Sequence, residues 1–166
     1  MRETNGMARK GAAIALAVAL LASTPVAAQS ARTLAIGEHA AIGPYLTDSS
    51  GMAIYMFEED RRDGYRGRSV ESDCIDDCLS RWPLLTGDPL PVAGDGIDPA
   101  LIGSFVRPDG RSQATYGGWP LYYFAEDFMP GDISGHDFEE FGGEWYLLTP
   151  GGLVIGDEDL NENRDD

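Results

Sequence analysis

Apolar and polar positions alternate over short stretches of this chain, and turn residues interrupt them at close intervals. "YLTDSSGMAIYMF" (45–57) reads as a strand, an Asp-Ser-Ser-Gly turn and a second strand. "FVRPDGRSQATYGGWPLYYF" (105–124) repeats the arrangement, with Pro108-Asp109-Gly110 and Gly117-Gly118 as turns between runs rich in Thr, Tyr and Phe. "EWYLLTPGGLVI" (144–155) predicts a hairpin with Pro-Gly-Gly at its tip. The exception is "SDCIDDCLSRW" (72–82), with Ser72 as an N-cap, acids in the first turn and apolar residues at 75, 79 and 82. That spacing predicts one short helix around Cys74 and Cys78.

The strand pattern recurs because the sequence itself recurs. "YMFEED" (55–60) is answered by "YYFAED" (122–127), Gly51 by Gly118, Gly64 by Gly131, and "RWPLLT" (81–86) by "EWYLLT" (144–149). The expected fold is therefore mainly β, with antiparallel sheets from two tandem related repeats packed together. Repeat 1 spans 43–87 and repeat 2 spans 105–152. A connector (88–104) rich in Pro and Gly joins them, with "DPALIG" forming one helical turn. An N-terminal segment (29–42) precedes the repeats; a last strand and an acidic tail, disordered at its end, follow (153–166). Along the hexads Tyr55 and Phe57 share one strand face and Met52, Ile54 and Met56 the other, with Tyr122 and Phe124 backed by Trp119, Leu121 and Tyr123. Strands apolar on both faces belong in an interior. One face is expected to pack within its own half and the other to join the halves.

The chain ends change the picture of location. Arg9 and Lys10, the apolar run Gly11 to Leu21 and the small residues Val26-Ala27-Ala28 read as a signal peptide over residues 1–28, cleaved near Ala28-Gln29. The run is too short to cross a bilayer, which takes about 20 apolar residues, and no other stretch is suited to do so. Of 12 basic and 28 acidic residues, three basic and one acidic fall in that segment, leaving nine Arg against 27 Asp plus Glu and a formal charge of −18. Such a surface repels phosphate backbones and anionic lipid, which argues against nucleic acid as a partner.

Residues able to do chemistry are few. Cys74 and Cys78 are the only cysteines, and in an exported chain a structural disulfide is the leading reading. A redox-active pair is disfavoured by Asp73, Asp76 and Asp77, which oppose thiolate formation, and two sulfurs make only half of a zinc site. His136, in "SGHDFEE", and His39 are the only histidines, and nothing at ligand spacing completes a metal site around them. Met52, Met56 and Met129 suit a core better than a soft-metal site. Asp60 and Asp127 fit turn caps better than a catalytic carboxylate pair. The tail "GDEDLNENRDD" (156–166) starts like a calcium loop but has Glu162 where that loop needs Gly. No cofactor or metal is expected.

Taken together, "GMAIYMFEED", "SDCIDDC", "RWPLL", "DGRSQATYGGWPLYYFAEDFMPGDISG" and "EWYLLTPGG" resemble a bacterial family of secreted and lipid-anchored proteins. That family carries a Tyr-x-(Phe/Trp/Tyr)-x-x-Asp motif and is described as a secreted repeat of unknown function. The resemblance implies export and a repeat architecture, and it brings no enzyme activity. Two departures stand out: no lipobox cysteine follows the signal peptide, and Trp82-Pro83-Leu84 lacks a second proline common in the family. The expectation is a secreted or periplasmic, non-enzymatic binding or accessory module whose partner is an envelope protein or a small ligand. Its motif residues Tyr55, Phe57, Asp60, Tyr122, Phe124 and Asp127 would shape the fold and an inter-repeat cleft. The alternative is a redox- or metal-linked periplasmic factor using Cys74, Cys78 and His136; an enzyme of undefined class is third.

Overall fold

Each repeat begins as a hairpin. A computed structural model describes Met1, residues 30–64 and residues 67–162; the expected signal peptide beyond Met1, its expected cleavage point and the expected disordered end of the tail at 163–166 lie outside these. In the first repeat β1 (Thr33–His39) pairs antiparallel with β2 (Gly43–Asp48), Leu34 facing Asp48 and His39 facing Gly43. In the second, β5 (Ile102–Val106) pairs antiparallel with β6 (Ser112–Tyr116) in the same manner. Residues 33–39, read from sequence as a lead-in segment, thus build the first hairpin. The connector is also tied down, since β4 (Val92–Ala93) lies parallel to the start of β1 and a short 3-10 turn, Pro99–Leu101, leads into β5. Asp98 caps that turn through the backbone N–H of Ala100.

Beyond the hairpins the two repeats exchange strands. The first hexad forms β3 (Tyr55–Phe57), whose partner is β9 (Gly143–Leu147) of the second repeat; β8 (Phe138–Glu140) extends the same sheet. The second hexad follows β7 (Trp119–Pro120), and it pairs with the "RWPLL" strand of the first repeat. There Leu85 N–H donates to Leu121 O at 2.9 Å, Tyr123 N–H to Pro83 O at 2.8 Å, and Ala125 N–H to Arg81 O at 2.9 Å. Between these pairs the hexads meet each other: Tyr55 and Tyr122 trade both backbone hydrogen bonds, each 2.9 Å long. The result is a continuous antiparallel run in which no hexad pairs with the tryptophan strand of its own repeat.

This exchange corrects the expectation that one hexad face would stay within its own half. Tyr55 and Phe57 pack in a cluster with Trp82, Tyr122, Phe124 and Trp145, while Ile54 and Met56 pack with Leu46, Leu121, Tyr146 and Leu148. Both clusters draw on both repeats. The physical reason is that a strand whose two neighbours come from the other repeat must share both faces with it.

The helix also differs in detail from its prediction. α1 is Asp77–Arg81, so Cys74 precedes it, outside any helix or strand, and Ser72 is not its cap. Asp76 stands at φ 50°, outside the right-handed region, and cannot carry a helix back through Cys74. The backbone around Cys74 has tertiary partners instead, described below. A second short helix, α2 (Asp159–Glu162), lies in the acidic tail, where Asn161 both accepts from Val154 N–H and donates to Val154 O. The hairpin at 144–155 forms as expected, with Thr149 and Leu153 joined across its tip.

Candidate functional site

Strand exchange brings the six motif residues to one place. Tyr55 Oη donates to Asp127 Oδ2 at 2.6 Å, and Tyr122 Oη donates to Asp60 Oδ2 at 2.5 Å. Each hexad's tyrosine is therefore clasped by the other hexad's aspartate. The remaining carboxylate oxygens are also used: Asp60 Oδ1 accepts from Asp73 N–H at 2.8 Å and Asp127 Oδ1 from Ser134 N–H at 2.9 Å. Both carboxylates thus accept backbone N–H bonds, as expected from sequence, but from positions 13 and 7 residues on in the loops after each hexad rather than from the first turn. The turns themselves are tight, with Asp60 N–H on Phe57 O and Asp127 N–H on Phe124 O.

The face-to-face aromatic stacks cross between repeats as well, while the edge-on tyrosine–tryptophan contacts stay within a repeat. Phe57 stacks on Trp145 at 4.2 Å and Phe124 on Trp82 at 4.3 Å, and the two indoles stack on each other at 3.8 Å and an interplanar angle of 3°. Tyr55 meets Trp82 edge-on, as Tyr122 meets Trp145. The column Phe57, Trp145, Trp82, Phe124 runs through the molecule with its midpoint between the repeats. Each such ring pair stabilises by about 0.5–1.5 kcal/mol beyond its area burial. Trp82 and Trp145 were visible in sequence as the matched "RWPLL" and "EWYLL" positions, but nothing there marked them as mutual partners.

None of the six lines an open cleft. Tyr55 and Tyr122 are fully buried, and even the two aspartates retain only 4% and 7% exposure. The cleft expectation is corrected for that reason: the facing hexads hydrogen-bond directly and leave no gap. Two glycines allow the closure. Gly51 and Gly118 sit at φ +82° and +87°, each with its backbone oxygen accepting from the turn after the other hexad, Gly131 N–H and Asp63 N–H respectively. A Cβ at Gly51 would meet Pro130 at 3.0 Å, and one at Gly118 would meet Arg62 at 2.9 Å.

The two clasps differ electrostatically. Around Asp60 stand Tyr122, Ser72, whose hydroxyl lies 2.6 Å from Tyr122 Oη, and the guanidinium of Arg107. Burial pushes the Asp60 carboxyl up to about 7, against the opposing pull of its hydrogen bonds and of Arg107. Both tyrosine hydroxyls are held well above their ordinary range by burial and by the clasping carboxylates. In the first repeat the position matching Arg107, 67 residues earlier, is Ala40, which is exposed. Sequence reasoning missed Arg107, which is almost wholly buried and donates to Gln113 Oε1 and to Cys74 O. A lone arginine in a Pro-Asp-Gly turn carries no sequence signal of burial.

The other sequence-predicted residues make no hydrogen bond to the four clasp side chains. Cys74 and Cys78 are joined in a disulfide with Cα atoms 5.3 Å apart, and both are buried. His136 is half-buried against Tyr146, and its Nδ1 accepts from Leu147 N–H at 3.4 Å. Burial holds His136 below the usual imidazole range, with Asp137 opposing the shift. Met56 is fully buried whereas Met129 is mostly exposed, so the methionines do not share an environment. Among the described residues no three of His, Cys, Asp and Glu gather into a group suited to hold a metal ion, and no helix is long and apolar enough to cross a membrane.

The fold and its clasps define a β-protein of two interlocked, related repeats. A family model described as a secreted repeat of unknown function matches residues 39–86 and 103–149, more than half of the chain, and the chain belongs to that family. No curated protein and no solved structure matches it.

Proposed function

We propose that this chain is an exported, periplasmic, non-enzymatic binding or accessory module, in which the hexads build the scaffold and ligand contact takes place elsewhere on the surface. The observation that carries this reading is the mutual satisfaction of the motif groups. Tyr55, Tyr122, Asp60 and Asp127 spend their polar atoms on one another and on backbone N–H groups, away from solvent. A nucleophile or general base must reach a substrate atom, and these groups do not. The family's description as secreted and the strongly acidic mature composition support a place outside the cytoplasm.

Two measurements test the reading. Intact mass of the periplasmic protein is expected to begin at Gln29, and retention of residues 1–28 would contradict cleavage. Thermal-shift screening against a small-molecule panel, with mass spectrometry of each stabilising compound afterwards, is expected to find stabilisation without conversion; turnover of a bound compound would contradict the non-enzymatic reading.

A further inference from the structure

Strand β5 is the open edge of its sheet, in which the order is β5-β6-β7 and β5 pairs with β6. The two ends of that pairing fix which backbone groups point outward: Gly117 N–H donates to Leu101 O and Arg107 N–H to Arg111 O, both at 2.9 Å. Residues 101, 103, 105 and 107 therefore turn their backbone groups toward β6, while Ile102, Ser104 and Val106 turn theirs to the open side. Ile102 N–H is closed off by Pro99 O. That leaves Ile102 O and both backbone groups of Ser104 and Val106 facing no strand among the described residues.

The other outermost strands are closed to further pairing. The outer sides of β2 and β3 are taken by Leu148 and Tyr122, and β7 ends in Pro120. β8 carries Glu139 and Glu140, and β4 is two residues long and follows Pro91. β5, "IGSFV", has neither charge nor proline, and it exposes Ser104 and Val106, the latter at 73%. A bare, uncharged edge of this kind is a template for another strand.

The sequence of β5 complements itself when two copies run antiparallel about Ser104. On one face Ser104 then stands opposite its own equivalent, with Ile102 opposite Val106 on either side. On the other face Phe105 stands opposite Gly103, so that each ring covers the glycine of the second copy, an arrangement that shields strand glycines. A slip of two residues either way sets Gly103 against Gly103 or Phe105 against Phe105 and shortens the ladder. No charged side chain of one strand meets a like charge of the other, although the −18 of each mature chain repels at longer range.

We propose that β5 is a self-association edge, at which two copies of this chain join antiparallel, each giving Ser104 N–H to the other's Ser104 O and Val106 N–H to the other's Ile102 O. The inference stands apart from the binding-module reading, since its partner is a second copy. An interface this small belongs to the transient class, and the net charge makes it tighter as salt screens the repulsion.

The test is sedimentation velocity of the mature protein up to about 1 mM, with backbone amide resonances followed over the same dilution series. A monomer–dimer equilibrium with Kd of about 1 mM or tighter is expected. It should tighten between about 0.1 M and about 1 M sodium chloride, as the Debye length falls from about 10 Å to about 3 Å. The concentration-dependent amide shifts are expected to centre on Ser104 and Val106. Ser104→Glu sets like charges directly opposite each other, and Val106→Lys places a lysine, a usual guard of edge strands, against Ile102. Both positions are exposed, so unchanged urea midpoints are expected. The two variants move the net charge in opposite directions, and each is expected to weaken the dimer by about tenfold or more. A protein that stays monomeric in both salts, a dimer that either folded variant retains, or shifts centred on another face overturns the assignment. So do shifts at Ser104 and Val106 that appear only on adding periplasmic extract, which would give the edge to a foreign strand. Should a variant unfold, the shift map of the unsubstituted protein decides alone.

Discussion

Tyr55 and Tyr122 are each held by backbone and by side chain, and in both cases the partner is the opposite repeat. Replacing either with Phe keeps the ring stack but leaves a buried carboxylate oxygen short of a donor. Each substitution is expected to cost about 1–3 kcal/mol, read as a lower urea midpoint. Asp60 adds a pH signature. Its folded value of about 7 lies above that of the unfolded chain, so the folded state holds more protons in between. The contribution of Asp60 is thus fully present below about pH 4, the ordinary carboxyl value, and is lost as pH rises through about 7. Denaturant midpoints across that window are expected to fall with rising pH in the native protein and to flatten in Asp60→Asn. An unchanged slope in the variant would show that Asp60 does not titrate as its burial requires.

At the scale of elements, the short disulfide and the glycine turns set local geometry rather than global fold. The bridge closes a loop only four residues apart in sequence, so replacing Cys74 and Cys78 with Ser is expected to cost about 2 kcal/mol, again read by urea denaturation. Because Cys74 O anchors Arg107, the variant's amide resonances should shift at Arg107 and Gln113 while the Trp82 and Trp145 indoles stay in place. Gly51→Ala combines positive φ with contact against Pro130, and a loss of at least about 1 kcal/mol is expected. Much of this level was legible in advance. The hairpins follow from alternation and from Asp-Ser-Ser-Gly and Pro-Asp-Gly, and burial of the hexads follows from two apolar strand faces. The start of α1 was not legible, because Ser72 and the acids after it make a good helix start, and only the tertiary bonds of Asp73 N–H and Cys74 O redirect the chain.

For the molecule as a whole the decisive feature is exchange: the stacked indoles, the strand pairs made by the hexads and the clasps all cross between repeats. Duplication was readable from the hexads and from the "LLT" strands. Crossing was not, since the same apolar alternation would suit "YMF" beside "RWPLL" as well as beside "EWYLL", and the choice lies in packing that no local pattern encodes. Removing the column's centre with Trp82→Ala is expected to cost about 3–5 kcal/mol, a large share of the stability of a domain this size. The central claim is tested most directly by double-mutant cycles on Tyr→Phe and Asp→Asn at the four clasp positions. Crossed cycles, Tyr55 with Asp127 and Tyr122 with Asp60, are expected to show coupling of about 1 kcal/mol or more, whereas same-hexad cycles, Tyr55 with Asp60 and Tyr122 with Asp127, stay within about 0.5 kcal/mol of additivity. Coupling that is equal in the two sets, or larger within a hexad, would contradict the exchange.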